Sequence, residues 1–208
     1  MNQSGSNEQG GTGGVSVWCV MHGLRMLVAS LASLIYWVVG GLLFVIAGLV
    51  CVPFLPGETS RALGQWLLQG AFRTFLLLLR VLGVLRVEYR GLDKLRDSTG
   101  GLIVAPNHPA LWDAVCVIAR IEGLRCILKA SLLHNPILVG GATLAGFIPN
   151  KPVHKMVQRS IEALRQGERL LFFPEGTRTR KQEGVVNPFQ GGIGIIAAQS
   201  GAPVWPVF

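Results

Sequence analysis

The sequence predicts an α/β domain: a mixed, largely parallel sheet covered by helices and preceded by an apolar, membrane-associated helical segment. Three observations carry this reading. From residue 83 onward, short apolar runs alternate with amphipathic stretches, the pattern of strands separated by covering helices. Two of those runs end directly in polar, turn-forming loops, NHPALWD and FFPEGTR, which is where open α/β sheets place their chemistry. Upstream, the 32 residues from Met26 to Gly57 contain no Lys, Arg, Asp, Glu or His, longer than the roughly 20 needed to cross a bilayer.

In chain order, residues 1–14 are polar and glycine-rich, so a disordered tail is expected. Residues 15–82 form the membrane-associated region. The charge-free run admits two topologies: one spanning helix from about Leu27 to Val52, or a bent, interface-embedded arrangement broken at Gly40-Gly41 and stopped by Pro53 to Gly57. The apolar run is too long for a secretory signal and lacks a small-residue cleavage site. Residues 59–82 continue in helical pattern with Arg61, Arg73 and Arg80 as their only charges. An apolar face with Trp66 and Phe72, opposite an arginine-bearing face, suits the headgroup layer; the plainer reading is a core helix of the domain.

Residues 83–208 form the α/β domain. Leu85 to Tyr89 alternates apolar and polar, predicting a half-buried strand. Further strands are expected at 102–105, 125–129, 169–173 and 203–208. Between them lie helical patterns at 111–121, 135–145, 153–165 and 192–199. The third of these places Met156, Val157, Ile161 and Leu164 on one face. The chain stops at Phe208, inside a strand pattern, which reads as either a truncated sequence or an abbreviated form of the domain.

Composition narrows the function classes. Half the residues are hydrophobic, 14% are charged and the mean hydropathy is +0.47, against roughly 25% charged in an average soluble domain. The net charge is +8, and from Glu58 onward 18 Lys/Arg face 10 Asp/Glu. A basic domain suits anionic lipid or phosphorylated substrates. No nucleic-acid-binding motif is present, so nucleic acid is not an expected partner. Cys19, Cys51, Cys116 and Cys126 lack metal-type spacing and read as reduced thiols, which fits the cytoplasmic side of an inner or plasma membrane.

The chemistry sits in the two loops. His108 and Asp113 are five positions apart after an apolar run, so the carboxylate can reach the ring and fix its tautomer. Alone, such a pair is weak evidence, because it also arises as a helix cap or a satisfied structural contact. No Ser or Cys stands in that loop and no GxSxG elbow occurs in the chain, so a substrate must supply the attacking group. The second loop offers Glu175, Gly176, Thr177 and Arg178, with Arg180 and Lys181 close by. Arginine grips phosphate with two donors, and glycine lets the backbone approach closely. The plain alternative is a strand-to-helix loop with a Glu–Arg pair. His22, His134 and His154 lack a partner at useful spacing and are expected at the surface. Trp66 and Trp112 are expected to pack or face membrane.

Together the blocks resemble the glycerolipid acyltransferase family. Asn107, His108 and Asp113 match its first signature block, and Phe173 to Arg178 match its third completely. Gly146 to Lys151 resembles the second block and Ala202 to Val207 the fourth, while Lys129 resembles a lysine that precedes the second. The resemblance implies acyl transfer from acyl-CoA or acyl carrier protein to a hydroxyl of a lysophospholipid such as 1-acylglycerol 3-phosphate, in phospholipid biosynthesis. It implies His108 as base, Asp113 as its orienting acid and Arg178 on the acceptor phosphate. Glu175 then orders the loop or positions the acceptor, Gly176 and Thr177 line it, and Lys129 and Lys151 add phosphate contacts. No cofactor and no metal are implied, the thioester being a co-substrate. The partners are membrane lipids and the acyl donor, with the oligomeric state open. Asn150-Lys151 stands where many members end the second block with arginine, and Ser131 where many have glutamate. These departures keep open an acceptor lacking glycerol phosphate, beside a non-catalytic lipid-binding protein of the same fold.

Overall fold

A computed structural model describes residues 17–92, 95, 98, 100–108, 110, 112–179 and 186–208. The expected tail over 1–14 lies outside the described residues. Two long helices come first, α1 (Val17–Phe54) and α2 (Gly57–Val81). Then follow β1 (Leu102–Pro106), α3 (Asp113–Arg120) and β2 (Leu124–Leu128). A 3-10 turn (Ala130–His134) leads to α4 (Val139–Leu144), β3 (Ile148–Pro149) and α5 (Val153–Arg165). The chain continues through β4 (Arg169–Leu171), α6 (Gly192–Ser200) and β5 (Val204–Val207).

The strand order is β3-β2-β4-β1-β5, and every pairing is parallel. Among the described residues the sheet is thus wholly parallel rather than mixed. Alternating side chains feed opposite layers, as the period of two requires. Leu102, Val104, Cys126 and Leu171 join α3 residues Val117 and Ile118 on one face. Ile103, Leu170 and Phe172 join Met156, Ile161 and Leu164 of α5 and Ile196 of α6 on the other. Because all five strands point the same way, their carboxyl ends share one edge.

The strand expected over Leu85–Tyr89 forms no ladder. Its alternation is real in burial, with Leu85, Val87 and Tyr89 half-buried and Arg86, Glu88 and Arg90 exposed. Leu85 packs on the aromatic cluster around Phe75, and Tyr89 packs on the core beside α3 while donating to the Cys116 carbonyl at 3.1 Å. A chain lying on an apolar surface acquires this period without sheet bonding, and β5 already occupies the free edge of β1. β3, only two residues long, was not foreseen, because a strand that short has no period to read.

Both N-terminal helices are long and apolar enough to cross a membrane by length and composition, but they differ in what they face. In the most apolar stretch of α1 only 6% of residues are buried, against 28% for α2. α1 runs unbroken through Gly40-Gly41, as a single helix requires and the bent alternative does not. Gly41 instead abuts Ile137, and Gly140 of α4 abuts the backbone at Phe44 and Val45. A Cβ on Gly140 would lie 2.5 Å from the Val45 nitrogen. The back half of α1 is therefore seated on the domain.

In α2, Arg61, Gln65, Gln69 and Arg73 recur every four residues and share one face. From Arg61 to Gln69 that face points inward, and at its end Arg73 stays exposed. Arg61 pairs with Glu168 at 3.1 Å, Gln65 donates to the Ala145 carbonyl at 3.3 Å, and Gln69 is buried. Arg73 donates to the Ala119 carbonyl at 2.8 Å. Glu168 also binds Arg125 at 3.1 Å, tying α2 to the sheet. Arg61 is thus held by Glu168, as the core-helix alternative expects, while Arg73 and Arg80 stay exposed. Trp66 is exposed as expected, while Phe72 packs inward.

Replacing Gly140 by Ala forces backbone of α1 away, and overpacking of this kind costs about 1–3 kcal/mol. Gly140→Ala should therefore lower the thermal unfolding midpoint in detergent. Gly70→Ala, where nothing lies within 4 Å, should leave it unchanged or raise it.

Candidate active site

The first and third blocks meet because β1 and β4 are neighbours in the sheet. The His108 backbone is clamped by the third-block loop from both sides. Its N–H donates to Glu175 Oε1 at 3.0 Å, and its carbonyl accepts from the Thr179 N–H at 2.8 Å. Glu175 is 2% exposed, and both its oxygens are engaged. Oε1 also accepts from the Thr179 hydroxyl at 2.7 Å, and Oε2 accepts from the Asn187 N–H at 2.9 Å. Asn187 in turn donates from its amide to the Arg178 carbonyl at 3.1 Å. Burial pushes the Glu175 carboxyl up, but the bonds from Thr179, Asn187 and His108 outweigh it and hold the group below its ordinary value of 4.5.

The ring of His108 is oriented from the other side. Nδ1 lies 3.0 Å from Asp113 Oδ2, and the same oxygen accepts the Ala110 N–H at 2.7 Å. Asp113 opens α3, so its carboxylate returns to the loop without bending the chain. The Phe173 ring lies 4.3 Å from the imidazole, centroid to centroid, and limits its tilt. The side chains of His108 and Asp113 are 20% and 21% exposed, so the pair is not sealed inside the domain. The pair's geometry is that of a base whose tautomer is held by an acid. Pro109 and Leu111 lie outside the described residues.

Gly176, Thr177 and Arg178 are exposed at the same edge. Gly176 takes φ +65°, a conformation that strains any residue with a side chain, and it lies against the Gln190 amide. Arg178 makes no ion pair among the described residues, leaving its guanidinium available. Arg180 and Lys181 lie outside the described residues. Lys129 and Lys151, both exposed, follow β2 and β3. Asn150 draws their loops together by accepting the Ala130 N–H at 2.9 Å. Their strands lie two and three positions from β1, about 10 and 14 Å at the usual strand spacing. They share the edge of His108 without adjoining it. His22, His134 and His154 are exposed, and all four cysteines are free thiols.

Thr179 and Asn187 were missed in the sequence. Asn187 precedes a proline, a turn signal, but nothing local shows that its N–H reaches a carboxylate 12 residues away.

Glu175 is buried with three donors, so its bonds stabilise the fold while it is ionised. That contribution is fully present above the unfolded value near 4.5 and is lost as the pH falls through the lower folded value. Glu175→Gln should lower stability at neutral pH by about 1.5–3 kcal/mol, the worth of hydrogen bonds to a charged group. It should also remove this acid limb when unfolding midpoints are measured against pH.

The chain is similar to several known proteins. The 1-acyl-sn-glycerol-3-phosphate acyltransferase of Pseudomonas aeruginosa is 29% identical over 182 residues, covering 85% of this chain and 65% of that protein. A chloroplastic 1-acyl-sn-glycerol-3-phosphate acyltransferase of Brassica napus is 28% identical over 127 residues, covering 59% of this chain and 36% of that protein. The chain thus spans between about a third and two thirds of these relatives' length. The crystal structure of the 1-acyl-sn-glycerophosphate acyltransferase of Thermotoga maritima superposes with a TM-score of 0.65 at 20% identity, covering 90% of this chain and 73% of that one, and so shares its fold. The family model described as Acyltransferase matches residues 86–208, which include both loops and all five strands, and the chain belongs to that family.

Proposed function

We propose that the protein transfers a fatty acyl chain from a thioester, acyl-CoA or acyl carrier protein, to a hydroxyl of 1-acylglycerol 3-phosphate in phospholipid synthesis. The observation that carries this reading is the 3.0 Å contact between His108 Nδ1 and Asp113 Oδ2, in a loop clamped beside Arg178. His108 Nε2 takes the proton of the acceptor hydroxyl as its oxygen attacks the thioester carbonyl. Asp113 stabilises the imidazolium that forms. The tetrahedral intermediate collapses with cleavage of the carbon–sulfur bond, and His108 returns the proton to the departing thiolate. The products are an ester and a free thiol.

Arg178 takes the acceptor phosphate, charge against charge, with two parallel donors. Thr177 and the Gly176 backbone line the same edge, and Lys129 and Lys151 meet more distant phosphates. Glu175 acts through the loop it orders, since its oxygens are already engaged. The Asn150-Lys151 sequence supports a second acceptor class without glycerol phosphate, because a lysine there is a point charge rather than a fork.

The apolar outer face of α1 and the exposed Trp66 suit contact with lipid, on the cytoplasmic side of the membrane that carries the substrate. There a site at the lipid boundary meets an acceptor from the bilayer and a thioester from water.

Purified protein in mixed micelles, given labelled donors and 1-acylglycerol 3-phosphate, should yield the diacyl product by mass spectrometry. His108→Ala should lower kcat by about a thousand-fold or more, and full activity in that variant overturns the assignment. Arg178→Ala should raise KM for the phosphate-bearing acceptor by about ten-fold or more with a smaller effect on kcat. Unchanged KM would favour the acceptor without phosphate.

A further inference from the structure

We propose that Trp37 of α1 is a positioning residue for the catalytic acid, acting through Trp112 to hold Asp113 against His108. This rests on the acyl-transfer reading above and adds a role for the membrane-facing helices. Trp112 is the residue immediately before Asp113, and its carbonyl accepts the Cys116 N–H at 2.9 Å, the bond that begins α3. Wherever the Trp112 backbone settles, the Asp113 carboxylate follows.

The Trp112 side chain is held from outside the domain. Its ring lies 5.1 Å from Phe75 of α2 and 6.3 Å from Trp37 of α1, at interplanar angles of 37° and 30°. Trp37 itself is braced by Phe75 at 5.3 Å and Phe72 at 5.9 Å. One residue earlier, the Tyr36 hydroxyl donates to the Ala71 carbonyl at 2.7 Å, which sets α1 and α2 in register. Phe75, at the centre of the group, is fully buried. A continuous line of ring contacts therefore runs from a helix with a lipid-suited face to the residue beside the catalytic carboxylate.

The Trp37 Nε1–H is buried with no hydrogen-bond partner among the described residues. Burying a donor unpaired is unfavourable, so the ring's surface, not its polar atom, is what this position uses. A phenylalanine should serve there. Catalytic pairs tolerate only about half an ångström of misplacement, and a shift of about 1 Å can cost on the order of a hundred-fold in rate. Removing one flank of Trp112 acts on that tolerance without touching substrate.

The test measures acyl transfer in micelles for Trp37→Ala, Trp37→Leu and Trp37→Phe. Each is also placed in the Asp113→Asn background, and circular dichroism and membrane partition are recorded alongside. Ala and Leu should lower kcat about ten-fold with the acceptor KM within about two-fold, while Phe should retain at least about half the rate. In Asp113→Asn the Trp37 substitutions should cost nothing further, because residues acting as one unit are non-additive. Leu34→Ala, on the exposed side of the same helix, should be unaffected. Wild-type kcat in Trp37→Leu, or an equal loss in the Asp113→Asn background, overturns the proposal while leaving the proposed reaction standing. Absence of transfer by the wild-type protein would instead overturn the reaction itself.

Discussion

The buried Glu175 carboxylate is the constraint on which the site's geometry depends. It accepts the His108 N–H across the boundary between two parallel strands, and its other bonds fold the third-block loop around it. The histidine's main chain is thereby fixed before its side chain meets Asp113. A buried ionised acid is unfavourable unless fully bonded, so this arrangement exists only when both loops are in place. Local order in one loop and local order in the other are the same event.

The parallel sheet makes that event possible. Val104 and Phe172 lie 68 positions apart in the chain, yet the Phe172 N–H donates to the Val104 carbonyl at 3.0 Å. Since all strands run one way, every loop following a strand is delivered to one edge. Histidine, arginine and the two lysines need no further device to share it. Their order across that edge follows the strand order, which places Arg178 beside His108 and the lysines farther out.

Two helices that pass for membrane spans by composition turn out to be parts of the same packed unit. α2 presents a polar face inward from Arg61 to Gln69, where Arg61 finds Glu168, and the exposed Arg73 reaches a backbone carbonyl. α1 meets α4 through glycines close enough for backbone contact, the way small residues let helices pack in apolar surroundings. Lipid-suited surface and the candidate site are thus joined by direct packing rather than by a linker.

Much of this was legible in the residues. The period of α5, with Met156, Ile161 and Leu164 on one face, marked both its bounds and its buried side, because an amphipathic helix writes its environment into its spacing. His108, Asp113 and Arg178 announced themselves by following apolar runs. Leu85–Tyr89 misled for the converse reason: alternation records a surface with two sides, and an extended segment on a core has those without a ladder. The direction of the α2 arginines, the strand order and the partners of Glu175 were decided by tertiary structure alone. Each depends on a partner many residues away, Glu168, Ala119, Thr179 or Asn187, and no local pattern encodes a contact whose other half lies elsewhere in the chain.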